Sequence, residues 1–273
     1  MQSSSRSLIK ASKAAPLPRW PLLNELYSMG CIIRGGQLVV VFGQPGSGKS
    51  TFITKYIVEM GIAALYNSAD MDAQDAISRE GAMRTGWRVD EVSDAIANGG
   101  IDYIADVLSV SRISWSFDSG PTLDDIVEEL NAFVELHDAY PRALVVDNAM
   151  NVEGEMDDEQ GGLKFVFKEL HRLAHETGIT VFLLHHAREE GDSRFPPPLS
   201  ALQGKVSQLP EIVLGVALDP DANAFRIAPV KVRSGKSDKS GGTYITLTAD
   251  PARANFLPQQ QPIHVDYQGQ RYV

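Results

Sequence analysis

Nine residues, Gly43-Gln44-Pro45-Gly46-Ser47-Gly48-Lys49-Ser50-Thr51, restrict the fold more than any other part of the sequence. They satisfy G-x-x-x-x-G-K-[ST], with the apolar run 38–42 before them and a helix-like stretch, 51–60, after. That strand–loop–helix setting is what the motif requires. Glycines let backbone N–H groups turn inward around a concavity, and the helix beginning there adds the partial positive charge of its N-terminus. Lys49 is expected on the β- and γ-phosphates of a nucleoside triphosphate, and Ser50 on Mg²⁺. A chain built this way alternates strands and helices around a mostly parallel sheet.

Composition narrows the setting. The chain has 273 residues, 43% of them apolar, enough for one large α/β domain or two small ones. No apolar run reaches the roughly 18 residues needed to span a bilayer, so no membrane partner is expected. The single cysteine, Cys31, excludes an internal disulfide and suits the cytoplasm. A net charge of −10 argues against a surface that coats nucleic acid, though not against a local basic channel. Residues 1–19, with Arg6, Lys10, Lys13 and Arg19, are expected to be a flexible basic arm. Residues 20–273 are expected to form the catalytic domain.

Along the chain, 14–36 reads as an extended arm, a short helix and a turn, and 62–67 as a buried strand leading into Ser68-Ala69-Asp70-Met71. Residues 73–97 are helical with a break at Gly86, closed by Gly99-Gly100, and a strand follows over 112–117. Thr122 to Asp125 resembles a capping box, and Leu123, Ile126, Val127, Leu130, Phe133 and Val134 keep helical spacing after it. Next come strand 143–147, the acidic loop 153–159, a helix carrying Leu163, Val166, Phe167 and Leu170, and strand 179–184 running into His185-His186. Strands over 212–218, 225–232, 244–248 and 263–267 close the chain. The expected class is α/β, a predominantly parallel sheet flanked by helices with an antiparallel edge at the C-terminal end.

Several positions outside the loop carry chemistry. Asp147 ends an apolar strand and can hold the Mg²⁺ bound to Ser50. Asp70 sits at a strand tip and is the candidate to orient and deprotonate an attacking water; its bland alternative is a helix N-cap. His186 is placed to sense a γ-phosphate. Zinc is a poor fit for His185-His186, and His171-x-x-x-His175, without the Glu of a zinc-protease helix, reads as the flank of an amphipathic helix. Lys231 and Arg233 alternate onto one strand face before Ser234-Gly235. Two readings fit them equally: cations aimed at a neighbour's phosphate, or a charged guard on a strand edge. Residues 187–208 form a long loop carrying Arg188, Arg194 and Lys205, candidates for contacting a nucleic-acid backbone.

Taken together, these residues resemble the RecA-like ATPase core, and within it the DnaB-like replicative helicases and their phage and plasmid relatives. Gly43 to Thr51 stands as the Walker A loop and residues 143–147 as the Walker B strand. Ser68-Ala69-Asp70-Met71 is similar to the family's Ser-Leu-Glu-Met, with Asp in place of the catalytic Glu. Leu184-His185-His186 falls where the family carries a γ-phosphate sensor, usually Gln. Lys231-x-Arg233-Ser-Gly is similar to the Lys-x-Arg-Asn-Gly element that supplies a Lys and an arginine finger to the adjacent subunit, which favours the functional reading of that pair. No stretch resembles the separate N-terminal domain of the cellular helicases. The resemblance implies an ATP- and Mg²⁺-dependent hexameric ring that moves along single-stranded DNA in phage or plasmid replication. Other readings remain: a RecA-like ATPase of recombination or repair, a structure-specific nuclease using the acidic loop 153–159, or an ATPase switch with no DNA.

Overall fold

A computed structural model describes residues 14–154, 159–259, 264–265 and 271–272. Among the described residues, nine strands form one sheet in the order β3-β2-β4-β5-β1-β6-β7-β8-β9. They are β1 (Leu38–Gly43), β2 (Ala64–Ser68), β3 (Ile113–Ser116), β4 (Ala143–Asp147), β5 (Thr180–His186), β6 (Ile212–Asp219), β7 (Ala224–Val232), β8 (Ile245–Asp250) and β9 (Asn255–Pro258). All pairings from β3 to β6 are parallel, and those from β6 to β9 are antiparallel. The expected class holds.

The sheet is covered on both faces, which is why its central strands are unbroken apolar runs. Alternation along β1 sorts side chains between layers: Val39 and Val41 face one core, Leu38, Val40 and Phe42 the other. The first core packs helix α2 (Lys49–Met60) and the segment around Trp20 through the aromatic set Trp20, Phe52, Tyr56, Phe225 and Phe256. The second receives α6 (Leu123–His137) and α7 (Glu159–Thr177). The preceding short helices are α1 (Asn24–Ser28), α3 (Ala73–Thr85), α4 (Val89–Ala97) and α5 (Ile101–Leu108).

Helix ends follow local chemistry. Thr122 and Asp125 form the expected reciprocal box, the Thr122 N–H donating to Asp125 Oδ2 at 2.8 Å and the Asp125 N–H to Thr122 Oγ1 at 3.1 Å. Asp72, not Asp70, caps α3 by accepting the Asp75 N–H at 2.8 Å, so Asp70 is left for other work. The break at Gly86 is present, but Gly99-Gly100 does not lead directly to a strand: α5 intervenes.

Of the expected arm, residues 1–13, including Arg6, Lys10 and Lys13, lie outside the described residues. Residues 14–19 are not loose. Leu17 is buried, its N–H donates to Ile33 O at 2.9 Å, and Pro18 O accepts the Tyr56 hydroxyl at 2.8 Å. The packed chain thus begins ahead of residue 20. Most of the acidic loop, including Glu155, Asp157 and Asp158, also lies outside the described residues, as does most of the 263–267 strand, of which His264–Val265 pairs with Arg271–Tyr272. No described helix is long and apolar enough to cross a membrane.

Candidate nucleotide site

The C-terminal ends of the parallel strands gather the predicted residues, as open α/β sheets do. Gly46 and Gly48 adopt φ of +73° and +82°, and a Cβ on Gly43 would stand 2.4 Å from Val216 O. The loop is therefore closed to larger residues at three points. Gly48 leads into α2 with no side-chain cap, so first-turn N–H groups stay available to an anion.

The Lys49 ammonium folds back over the loop, donating to Gly43 O at 3.2 Å, Gln44 O at 3.1 Å and Ser47 Oγ at 3.5 Å. Burial pulls its pKa down, and the Asp147 and Asp70 carboxylates oppose that shift. Asp147 is buried at the end of β4, accepting the Tyr66 hydroxyl at 3.0 Å. Burial raises its carboxyl; the Ser50 and Tyr66 hydroxyls work the other way. A buried carboxylate beside a hydroxyl and phosphate-facing N–H groups is a donor set suited to a hard divalent cation, so the pair Ser50 and Asp147 fits Mg²⁺.

One residue that carries no sequence signal completes this cluster. Asn148 is buried, and its Nδ2 donates to Asp70 Oδ2 at 2.7 Å and lies 3.3 Å from His186 Nε2. Its Oδ1 accepts the Met150 N–H at 2.8 Å, which fixes which end of the amide faces the cleft. With Nε2 accepting, the His186 ring is neutral. Burial and then the Lys49 charge lower its pKa, with Asp70 opposing. Strand order explains the cluster: β2, β4 and β5 are neighbours, so Asp70, Asn148 and His186 emerge side by side at their tips. Directly after His186, the Ala187 N–H donates to Gly43 O at 3.1 Å, tying the start of the 187–208 loop to the phosphate loop.

His185 points the other way. It is fully buried, edge-on to Phe167 at 5.7 Å, and burial pushes its pKa down to about 4. The Gln203 main chain approaches the ring without completing a hydrogen bond to either nitrogen. Beside the loop, a cavity of about 250 Å³ is lined by Gly48, Thr51, Ala249 and Phe256, with Arg79 and Asn255 as polar members. Sequence reading missed it, because its walls come from α3, β8 and β9. A larger groove between α6 and α7 shares none of these residues.

Lys231 and Arg233 lie at the far end of the sheet. Val39 pairs with Ile212 and Ile212 with Val232, so Arg233 is level with the start of β1. Gly43 is four residues further on, at least about 13 Å at strand rise. Arg233 cannot serve phosphates held by its own chain. Its Nη1 is 3.1 Å from Glu211 Oε1, and its side chain is 54% exposed. Lys231 donates to Ser207 O at 2.7 Å, Gln208 O at 3.0 Å and Pro210 O at 2.6 Å.

The loop candidates differ among themselves. Arg188 is loosely paired, 3.9 Å from Glu190 Oε1. Arg194 is held by Asp192 at 2.6 Å, while its main-chain O accepts Arg226 Nη1 at 2.6 Å. The main chain of Lys205 lies in a short 3₁₀ turn.

Comparison with known proteins agrees with this geometry. Residues 10–192 match the AAA domain family AAA_25. The chain is 35% identical over 249 residues to the Gene 65 protein of Mycobacterium phage L5, covering 88% of this chain and 91% of that protein. It is also 35% identical over 220 residues to the Gene 65 protein of Mycobacterium phage D29, covering 77% and 94%. In structure it is similar to an ATPase domain solved on its own, with TM-score 0.78 and 16% identity over 95% of this chain and 100% of that one. A DnaB-like replicative helicase, described with its interactions with primase, gives TM-score 0.76 and 17% identity over 94% of this chain and 67% of that one. The fold is that of a RecA-like helicase ATPase domain.

Proposed function

The chain belongs to the AAA domain family, and from that premise we propose that it is an ATP-driven DNA helicase motor of phage replication. It would work as a hexameric ring on single-stranded DNA in the cytoplasm of the infected cell. One observation carries this reading: the nucleotide cradle is complete in one chain except for a cation on the open side. The residue that could supply it, Arg233, sits where only a second copy could deliver it.

In this mechanism the N–H groups of Gly46 to Ser50 and the Lys49 ammonium bind the β- and γ-phosphates. Lys49 can exchange its loop carbonyls for phosphate oxygens without leaving the cleft. Ser50 and Asp147 would hold Mg²⁺, which neutralises phosphate charge when bound. Asp70 orients the water and takes its proton, with Asn148 fixing the carboxylate. The same amide touches His186, so loss of the γ-phosphate is felt at the start of the 187–208 loop. Arg188, Arg194 and Lys205 on that loop would contact DNA phosphates, Arg188 being the more weakly held of the two arginines. The cavity beside Gly48 and Thr51 would take the base. The domain limits follow the same reading, with residues 20–273 as the motor and the basic N-terminal segment as an appendage.

The test is ATP hydrolysis and strand separation, each measured with and without single-stranded DNA. DNA-stimulated hydrolysis and ATP-dependent unwinding support the proposal. Stimulation without unwinding favours a recombination or repair ATPase. No stimulation by DNA favours a switch, and Mg²⁺-dependent cleavage without ATP a nuclease; either would overturn the proposal.

A further inference from the structure

The pair His171 and His175, one turn apart on α7, faces a buried carboxylate that belongs to a different element. Glu211 stands just ahead of β6, and its Oε1 is 3.1 Å from His171 Nε2 and 3.8 Å from His175 Nε2. The two Nε2 atoms are 3.2 Å apart. A tetrahedral zinc ion with bonds of about 2.05 Å holds neighbouring ligand atoms about 3.3 Å apart. The triangle therefore needs movements of about half an ångström at most, within reach of side-chain torsions.

We infer that His171, His175 and Glu211 form a binding site for a zinc-class divalent ion, separate from the nucleotide site and at the opposite end of the sheet. Three features of the cluster favour it. All three ligand-capable atoms converge on one point. The second carboxylate oxygen, Oε2, accepts the Leu38 N–H at 3.0 Å, so Glu211 is oriented from behind as metal-bound carboxylates are. Two helical imidazoles and one carboxylate leave a fourth position for water, the three-ligand arrangement zinc accepts. Two nitrogen donors of three also select against Mg²⁺, which prefers oxygen and octahedral geometry. The ion that serves ATP is thus not a competitor here.

The site shares an atom with the ion pair of Arg233. Glu211 Oε1 also lies 3.1 Å from Arg233 Nη1, so an incoming ion and the guanidinium compete for one oxygen. Metal binding detaches Arg233 from its own chain. The consequence for hydrolysis rests on Arg233 acting across an interface, whereas the metal site itself does not.

Tag-free protein, stripped with a chelator and free of nucleotide, is titrated with Co²⁺ in excess Mg²⁺, and tetrahedral d–d absorption is followed and then displaced by Zn²⁺. The expected result is one equivalent per chain, weakened at least about tenfold by His171→Ala and by His175→Ala, and tightened a few-fold by Arg233→Gln. Glu211 is buried and supports β1, so its replacement risks the fold; His175 is half exposed, and circular dichroism verifies that its variant is folded. No tetrahedral band in the parent protein, or an unchanged affinity in both histidine variants, would overturn the assignment. Because the readout is cobalt binding, it stands or falls independently of helicase activity.

Discussion

Two lysines mark the opposite ends of the sheet, and their surroundings differ in one telling way. Lys49 reaches its loop acceptors at 3.1 to 3.5 Å, with the carboxylates of Asp147 and Asp70 acting on it across the cleft. Lys231 reaches three carbonyls at 2.6 to 3.0 Å, and an ammonium has three protons to give. Burial lowers the pKa of both. Yet Lys49 is loosely engaged and ready to exchange partners, while Lys231 is saturated and staples the turn at 207–210 to β7. Of the pair Lys231 and Arg233, the cation still able to reach outward is therefore Arg233. A burial or pKa criterion alone would have ranked the two lysines together; the distances separate them.

The largest break in this comparison should come from Arg233→Ala. Loss of a finger cation is expected to lower kcat about 10³-fold while leaving ATP affinity nearly unchanged. Steady-state hydrolysis with single-stranded DNA, set beside fluorescent-nucleotide binding, checks both halves. Normal turnover would reduce Arg233 to a partner of Glu211.

Next in size is a pH effect seated under the phosphate-loop end. His185 is held neutral by burial, with its pKa pushed down to about 4 against an ordinary 6.5. Between those values the unfolded chain binds the proton and the folded chain does not. Stability therefore falls on acidification from about pH 6.5 to about 4, by up to about 3 kcal/mol from this group. His185→Leu should flatten that part of a urea-denaturation series across pH; an unchanged slope would place the acid sensitivity elsewhere.

At the other end, Lys231→Met should cost the nucleotide-free chain about 2 kcal/mol in chemical denaturation, because buried carbonyls lose their donor. A neutral result would mean that Lys231 is free to serve a neighbour after all. The smallest effect is expected at Asn148→Ala, about a tenfold drop in kcat with KM little changed, since Asp70 and His186 would remain but lose their common tether.

Much of the nucleotide end was legible in the sequence because its signals are local. The loop motif fixes its own backbone, and β4 is an apolar run ending in a carboxylate. Asn148 was not legible. Its importance comes from strand order, which sets β4 between β2 and β5, and nothing in an Asp-Asn-Ala stretch encodes that. The helix α5 was missed for the opposite reason: eight residues bury only Ile104 fully, too little periodicity to oppose a Gly-Gly pair. β9, four residues with one buried, left as weak a trace. The alternation of Lys231 and Arg233 was visible, but not the acceptors at 207–211, which lie two dozen positions back in the chain. His171 and His175 read as a helix flank until the fold brought Glu211 against them.

The central claim is that a nucleotide bound by one chain is completed by Arg233 of another. Mixing the Lys49→Ala variant, which has Arg233 but no loop lysine, with Arg233→Ala, which has the reverse, tests it directly. The account predicts that each alone is inactive and that the mixture, with ATP and single-stranded DNA, regains hydrolysis at interfaces pairing the intact halves. A mixture that co-assembles by light scattering yet remains as inactive as its components would contradict it.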